Sequence, residues 1–196
     1  MMKHSAVLAL TVPFLLAVSA PSWAGWVLDN NQSRINFITI KNGSVAEKHS
    51  FDSQEGTIDD SGQAHVAIML DSVNTGIEIR DERMRKMFAE DGGSDLAVVD
   101  ATLDAASLEA LAVGSSEIVP LKATFRIGEA DVEVATDVHV LRIDEARIQA
   151  SSLSPVLLDA AALGLDGGVE KLREIAGLAS ISLAVPVDFR WVFVRE

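Results

Sequence analysis

The feature that most constrains this chain is an alternation of apolar and polar residues with a period of two, repeated in short runs. The C-terminal run is the cleanest. Ile181, Leu183, Val185, Val187, Phe189, Trp191 and Phe193 fall on one side, and Ser182, Asp188 and Arg190 on the other. Successive side chains of a strand point to opposite faces of its sheet, so each run is expected to bury one face and wet the other. Arg34 to Ile40 alternates in the same way with Ile35 and Phe37 inward. So do Ala64 to Leu70 (Val66, Ile68, Leu70), Leu121 to Ile127 (Leu121, Ala123, Phe125, Ile127) and Asp131 to Val140 (Val132, Val134, Val138, Val140). Turn-forming clusters separate the runs, among them Lys41-Asn42-Gly43-Ser44, Asp59-Asp60-Ser61-Gly62 and Gly128-Glu129-Ala130-Asp131. Strands at short spacing with such turns indicate an antiparallel sandwich or barrel.

Two stretches have helical spacing instead. Ile79 to Phe88 puts Ile79, Met84, Met87 and Phe88 on one face. Val169 to Ala176 does so with Val169, Leu172, Ile175 and Ala176, and Gly177 follows as a stop. Neither helix is long enough to be stable alone, so each must lie against the sheet or cover an open end of it. The expected fold is all-β with two short helices, an antiparallel β-barrel of about eight strands whose closure removes the sheet edges.

Residues 1–24 read as a signal peptide. Lys3 supplies a positive start, Ser5 to Ala20 is apolar, and Ser22 and Ala24 are the small residues of a cleavage site after Ala24. One domain over residues 25–196 and a periplasmic location follow as expectations. The apolar run is shorter than the ~20 residues of a spanning helix, and no later segment is apolar enough, so no stable membrane insertion is expected. A net charge of −13 repels phosphate backbones, which argues against a nucleic-acid partner. The chain has no cysteine, which excludes disulfides, thiol catalysis and cysteine-held metal centres.

Nucleophile elbows, phosphate loops, dinucleotide glycine patterns and His-Glu-x-x-His are all absent from the sequence, so no catalytic residue, cofactor or enzymatic activity is expected. His49, His65 and His139 read as solvated histidines rather than metal ligands. Asp91-Gly92-Gly93-Ser94-Asp95 lacks the ligand spacing of a calcium loop and reads as a solvated turn. The inward residues Phe37, Ile68, Leu70, Phe125, Ile127 and Val134 suit either a solid core or the wall of a cavity. Aromatics are only 5% of the chain, which leaves room inside. Met84, Met87 and Phe88 suit either a core stripe or an adaptable apolar lid. Arg80 either grips a head group, as arginine grips phosphate, or pairs locally beside Asp81 at a helix start.

The ends and middle of this pattern resemble the YceI-like polyisoprenoid-binding family. Trp26-Val27-Leu28-Asp29, Ser33-Arg34-Ile35-Asn36-Phe37 and Glu55-Gly56-Thr57-Ile58 are similar to its opening strands. Asp71-Ser72-Val73-Asn74-Thr75-Gly76-Ile77-Glu78-Ile79-Arg80-Asp81 resembles its Ser-Val-x-Thr segment leading into an Arg-Asp helix start. Gly177 to Phe189 is similar to its closing strand. The segment Ala89 to Asp95 departs from the family, which has a Phe-Pro element there. The resemblance implies a lipocalin-like barrel that holds a long isoprenoid chain and performs no chemistry on it.

Two functions are therefore expected. The first is an exported carrier for a lipid-like amphiphile, a polyprenyl chain or a quinone. Its tail would lie among Phe37, Ile68, Leu70, Met84, Met87, Phe88, Phe125, Ile127 and Val134, with its head near Arg80. Burial at ~0.8 kcal/mol per methylene is enough to hold such a tail. The alternative is a non-catalytic structural or protein-interaction barrel with a filled core. The oligomeric state is open, a homodimer included.

Overall fold

A computed structural model describes residues 25–196. The expected signal peptide, residues 1–24, lies outside the described residues. Strands β1 (Trp26–Leu28) and β2 (Arg34–Lys41) are parts of one strand interrupted by a short helical turn at Asn30–Gln32. Strands β3 (Val45–Phe51) and β4 (Gln54–Ile58) make the next, followed by β5 (Gln63–Met69) and the two-residue β6 (Val73–Asn74). Helix α1 (Glu78–Glu90) leads into β7 (Leu96–Thr102), and α2 (Ala105–Ala110) into the long hairpin of β8 (Ser116–Ile127) and β9 (Ala130–Asp144). Strands β10 (Arg147–Ser152) and β11 (Val156–Asp159), helix α3 (Asp166–Ile175) and β12 (Ala184–Arg195) complete the chain.

The strands close an antiparallel barrel of 8 strands, as the alternation predicts. β12 is the seam. One of its edges pairs with β11 and then β10, and the other with β2 and then β1. Inward residues follow the expected period: Ile35, Phe37, Val66, Ile68, Val138, Val140 and Phe193 are all buried. The β2–β3 hairpin turns at Asn42 and Gly43, with φ of 51° and 79°. Asn-Gly suits such a turn because both positions need positive φ.

Three details depart from the sequence reading. β12 starts at Ala184 rather than Ile181, because Ser182 Oγ accepts from the amide of Ala184 at 3.1 Å and folds a local turn. Ile181 makes only an isolated bridge to Lys41, and Leu183 is exposed. Among the described residues there are three α-helices rather than two. α2 is too short to show a period, and it is started by Asp104, whose side chain accepts from Ala106 N at 3.1 Å. Ile79 and Ile175 are 53% and 56% exposed, each near an end of its helix. Met84, Met87 and Phe88 are buried as expected.

The two ends of the barrel are covered differently. α1 and α3 cross one end in close contact: a Cβ on Gly168 would stand 2.1 Å from Met87 Cγ. At the other end, Leu108 of α2 is buried beside Arg142, which is 5% exposed. Among the described residues, Arg142 has no carboxylate partner. It donates to the main-chain carbonyls of Asp144, Glu145 and Leu108 at 2.9, 3.1 and 3.4 Å and lies over the Trp26 ring. These bonds satisfy a buried cation that would otherwise be costly.

Candidate functional site

The inward faces leave space. A chamber of about 320 Å³ lies beneath α1 and α3, which is within the size range of small-molecule pockets. A second space of about 100 Å³ lies beyond it toward α2. Ile35, Phe125, Leu158 and Val187 belong to the walls of both, so they form the partition between the two.

The structure brings most of the candidate residues to the helix-covered chamber. Phe37, Ile68, Leu70, Phe125 and Ile127 line it from the strands, and Met84, Met87 and Phe88 from α1. Val134 lines the second space instead, because it sits farther along the β8–β9 hairpin. Met84, Met87 and Phe88 are therefore both core stripe and chamber roof. The remaining roof comes from α3 and the segment after it, through Val169, Leu172, Leu178 and Ile181. Asn42 Oδ1 accepts from the amide of Ala179 at 2.9 Å and ties that segment to the β2–β3 hairpin.

Arg80 reaches the chamber but is already occupied. Its Nη1 donates to Glu47 Oε2 at 2.5 Å, its Nε to Thr75 Oγ1 at 2.8 Å and its Nη2 to the Thr75 carbonyl at 2.7 Å. Lys41 Nζ lies 2.6 Å from Glu47 Oε1. Lys41 first, and then Arg80, hold the Glu47 carboxyl below its ordinary range. Asp81 accepts from both the amide and the hydroxyl of Thr75. This is the local pairing that a first-turn aspartate allows, and it fixes the start of α1.

His49 corrects the sequence reading. It was expected to be solvated and is 4% exposed, on the inner face of β3, where it lines the chamber. Its ring lies 5.2 Å from that of Phe37. Nε2 is 2.9 Å from Thr39 Oγ1, and Nδ1 is buried without a hydrogen-bond partner among the described residues. Burial pushes the imidazole below its ordinary pKa, with Arg80 adding to the effect, so the ring is neutral. A buried polar atom left unpaired costs ~1–3 kcal/mol. The sequence signal for His49 is weak, since the inner positions of β3 are Glu47, His49 and Phe51 and do not form an apolar stripe. His65 is exposed, as expected, 2.7 Å from Asp100. Among the described residues, no group of three or more His, Asp or Glu is arranged to hold a metal, and no helix is long and apolar enough to cross a membrane.

The YceI-like domain family matches residues 26–193. The chain belongs to this family. Among solved structures, a polyisoprenoid binding domain from Saccharophagus degradans implicated in plant cell wall breakdown is similar to this YceI-like chain. It shares 36% identity over 88% of this chain and 99% of its own, with a TM-score of 0.85. BcnA from Burkholderia cenocepacia has the same fold at 15% identity, over 84% of this chain and 98% of its own, with a TM-score of 0.61. No curated protein matches the sequence.

Proposed function

We propose that this YceI-like protein is an exported, periplasmic carrier that holds a lipid-like amphiphile of polyisoprenoid or quinone type inside its barrel and does not transform it. The helix-covered apolar chamber carries this reading. Its wall is mostly aliphatic and aromatic, and its polar groups come from the β2–β3 hairpin (Thr39, Lys41, His49), from α1 (Arg80, Arg83) and from Ser182 after α3. An amphiphile needs this layout, an apolar volume for the tail and a polar end for the head. The solved relative at 36% identity is described as a polyisoprenoid binding domain, which supports the same ligand class. The residues assigned to the tail are Phe37, Ile68, Leu70, Met84, Met87, Phe88, Phe125 and Ile127, with Val134 in the second space taking its far end.

The test is native mass spectrometry of protein expressed with its N-terminal segment, followed by solvent extraction. A stoichiometric apolar adduct released as a prenyl lipid or quinone is the expected result. A bare mass, unchanged after incubation with such lipids, would favour the filled barrel. Recovery of the chain from the periplasmic fraction beginning at Gly25 is the expected outcome for export.

A further inference from the structure

We propose that His49 and Thr39 form a binding site for an uncharged oxygen, a carbonyl or a hydroxyl, on the head of the bound amphiphile. The inference rests on the carrier reading and names the head-group chemistry that reading leaves open. The inner faces of β2 and β3 change character rung by rung toward the mouth. Ile35 opposes Phe51, Phe37 opposes His49, Thr39 opposes Glu47, and Lys41 lies beyond. The wall passes from apolar, through the neutral Thr39–His49 pair, to the charged group of Lys41, Glu47 and Arg80, and Arg83 of α1 also lines the chamber.

A head group is matched to the rung whose partners are free. The charged rung is closed on itself: Glu47 takes both cations at 2.6 and 2.5 Å, and Thr75 takes two further donors of Arg80. A phosphate binding to Lys41 or Arg80 would have to compete with Glu47 for them. The neutral pair is not closed in this way: His49 lines the chamber, its Nε2 is held by Thr39, and its Nδ1 is buried without a partner among the described residues. A neutral imidazole in an apolar wall suits a neutral partner. It offers a hydrogen bond without bringing a charge out of water.

The test is calorimetric titration of the mature chain with two probes of equal tail length, farnesol and farnesyl phosphate. Farnesol is expected to bind about tenfold more tightly than farnesyl phosphate. His49→Phe is expected to weaken farnesol by about tenfold and to leave farnesyl phosphate unchanged within about twofold, as loss of one buried hydrogen bond would do. His49→Gln, which keeps a donor and an acceptor, recovers part of the loss. Thr39→Val, which removes the group holding Nε2, gives a smaller loss in the same direction. Farnesol affinity that is unchanged in a His49→Phe protein with wild-type circular dichroism overturns the head-group site alone. So does tighter binding of farnesyl phosphate by the wild type. Failure of the wild type to bind either probe overturns the carrier reading as well.

Discussion

The chamber beneath α1 and α3 and the space beyond the Phe125 partition occupy the same barrel but are built from different parts. The far space is walled by ladder-bonded strands, with Val66, Val138, Val140, Ile148 and Phe193 buried in its wall. The near chamber borrows part of its wall from helices that are held by side-chain packing, and Lys171 of α3 pairs with Asp91 at the end of α1 at 2.9 Å. Ladder hydrogen bonds tie each strand to two neighbours at once, whereas an amphipathic helix is held through one face. The difference implies that the far space determines the stability of the fold, while the near chamber can open without unfolding it.

The largest expected effect lies in the far wall. Phe193→Ala should cost about 3–5 kcal/mol in urea denaturation, since the side chain is fully buried within β12. Met87→Ala in the near roof should cost about 2 kcal/mol, the low end for such a truncation, because its surroundings already include open space. Equal costs would break the comparison. Gly168→Ala comes next. Its added methyl meets Met87 Cγ at 2.1 Å and Asp91 Oδ2 at 2.7 Å, so α3 must shift, at about 1–3 kcal/mol. Hydrogen exchange should then speed up over residues 166–175 and not over β12; uniform acceleration would show that lid and barrel unfold together. Ala150→Phe should fill the far space and weaken nonaprenol binding by roughly tenfold while sparing farnesol, as several methylenes lose their burial. Equal losses for both prenols would mean that the tail stops at the partition.

The smallest expected effects depend on pH, and both belong to the near chamber. His49 has a folded pKa below its ordinary 6.5. Its contribution is complete above 6.5 and is lost as pH falls, because the unfolded chain then takes up a proton that the folded chain refuses. Glu47 is also lowered, from 4.5, so its contribution is present above 4.5 and is lost on further acidification. Melting temperature should therefore begin to fall below pH 6.5, and His49→Phe should remove that first decline but not the later one. A first decline that persists in the variant would assign it to another group.

Much of the fold was legible because a half-buried strand leaves a record in every second residue. β2, β5, β9 and the body of β12 could be read from Ile35 and Phe37, Val66 and Ile68, Val138 and Val140, and Phe189 to Phe193. The chamber wall was legible for the same reason, since a residue that faces the core of a barrel also faces any space left within it. Arg80 was legible as a candidate, with its local pairing as one of two readings, and the structure supplies Glu47 and Thr75 as the partners. His49 was not legible. Its burial depends on β3 pairing with β2 in the register that sets it beside Phe37 and Thr39, and no periodicity in β3 announces that face. α2 escaped because six residues are too few to show a helical repeat.

By itself, the sequence determined that the chain builds an antiparallel barrel with short covering helices, because periodicity and turn chemistry are local properties carried by neighbouring residues. Tertiary structure alone decided that the interior is left open as two spaces, that Glu47 pairs with both Lys41 and Arg80 at the mouth, and that a neutral histidine stands beneath them. Each of these depends on the distance between residues far apart in the chain, and that distance is set only when the strands close on one another.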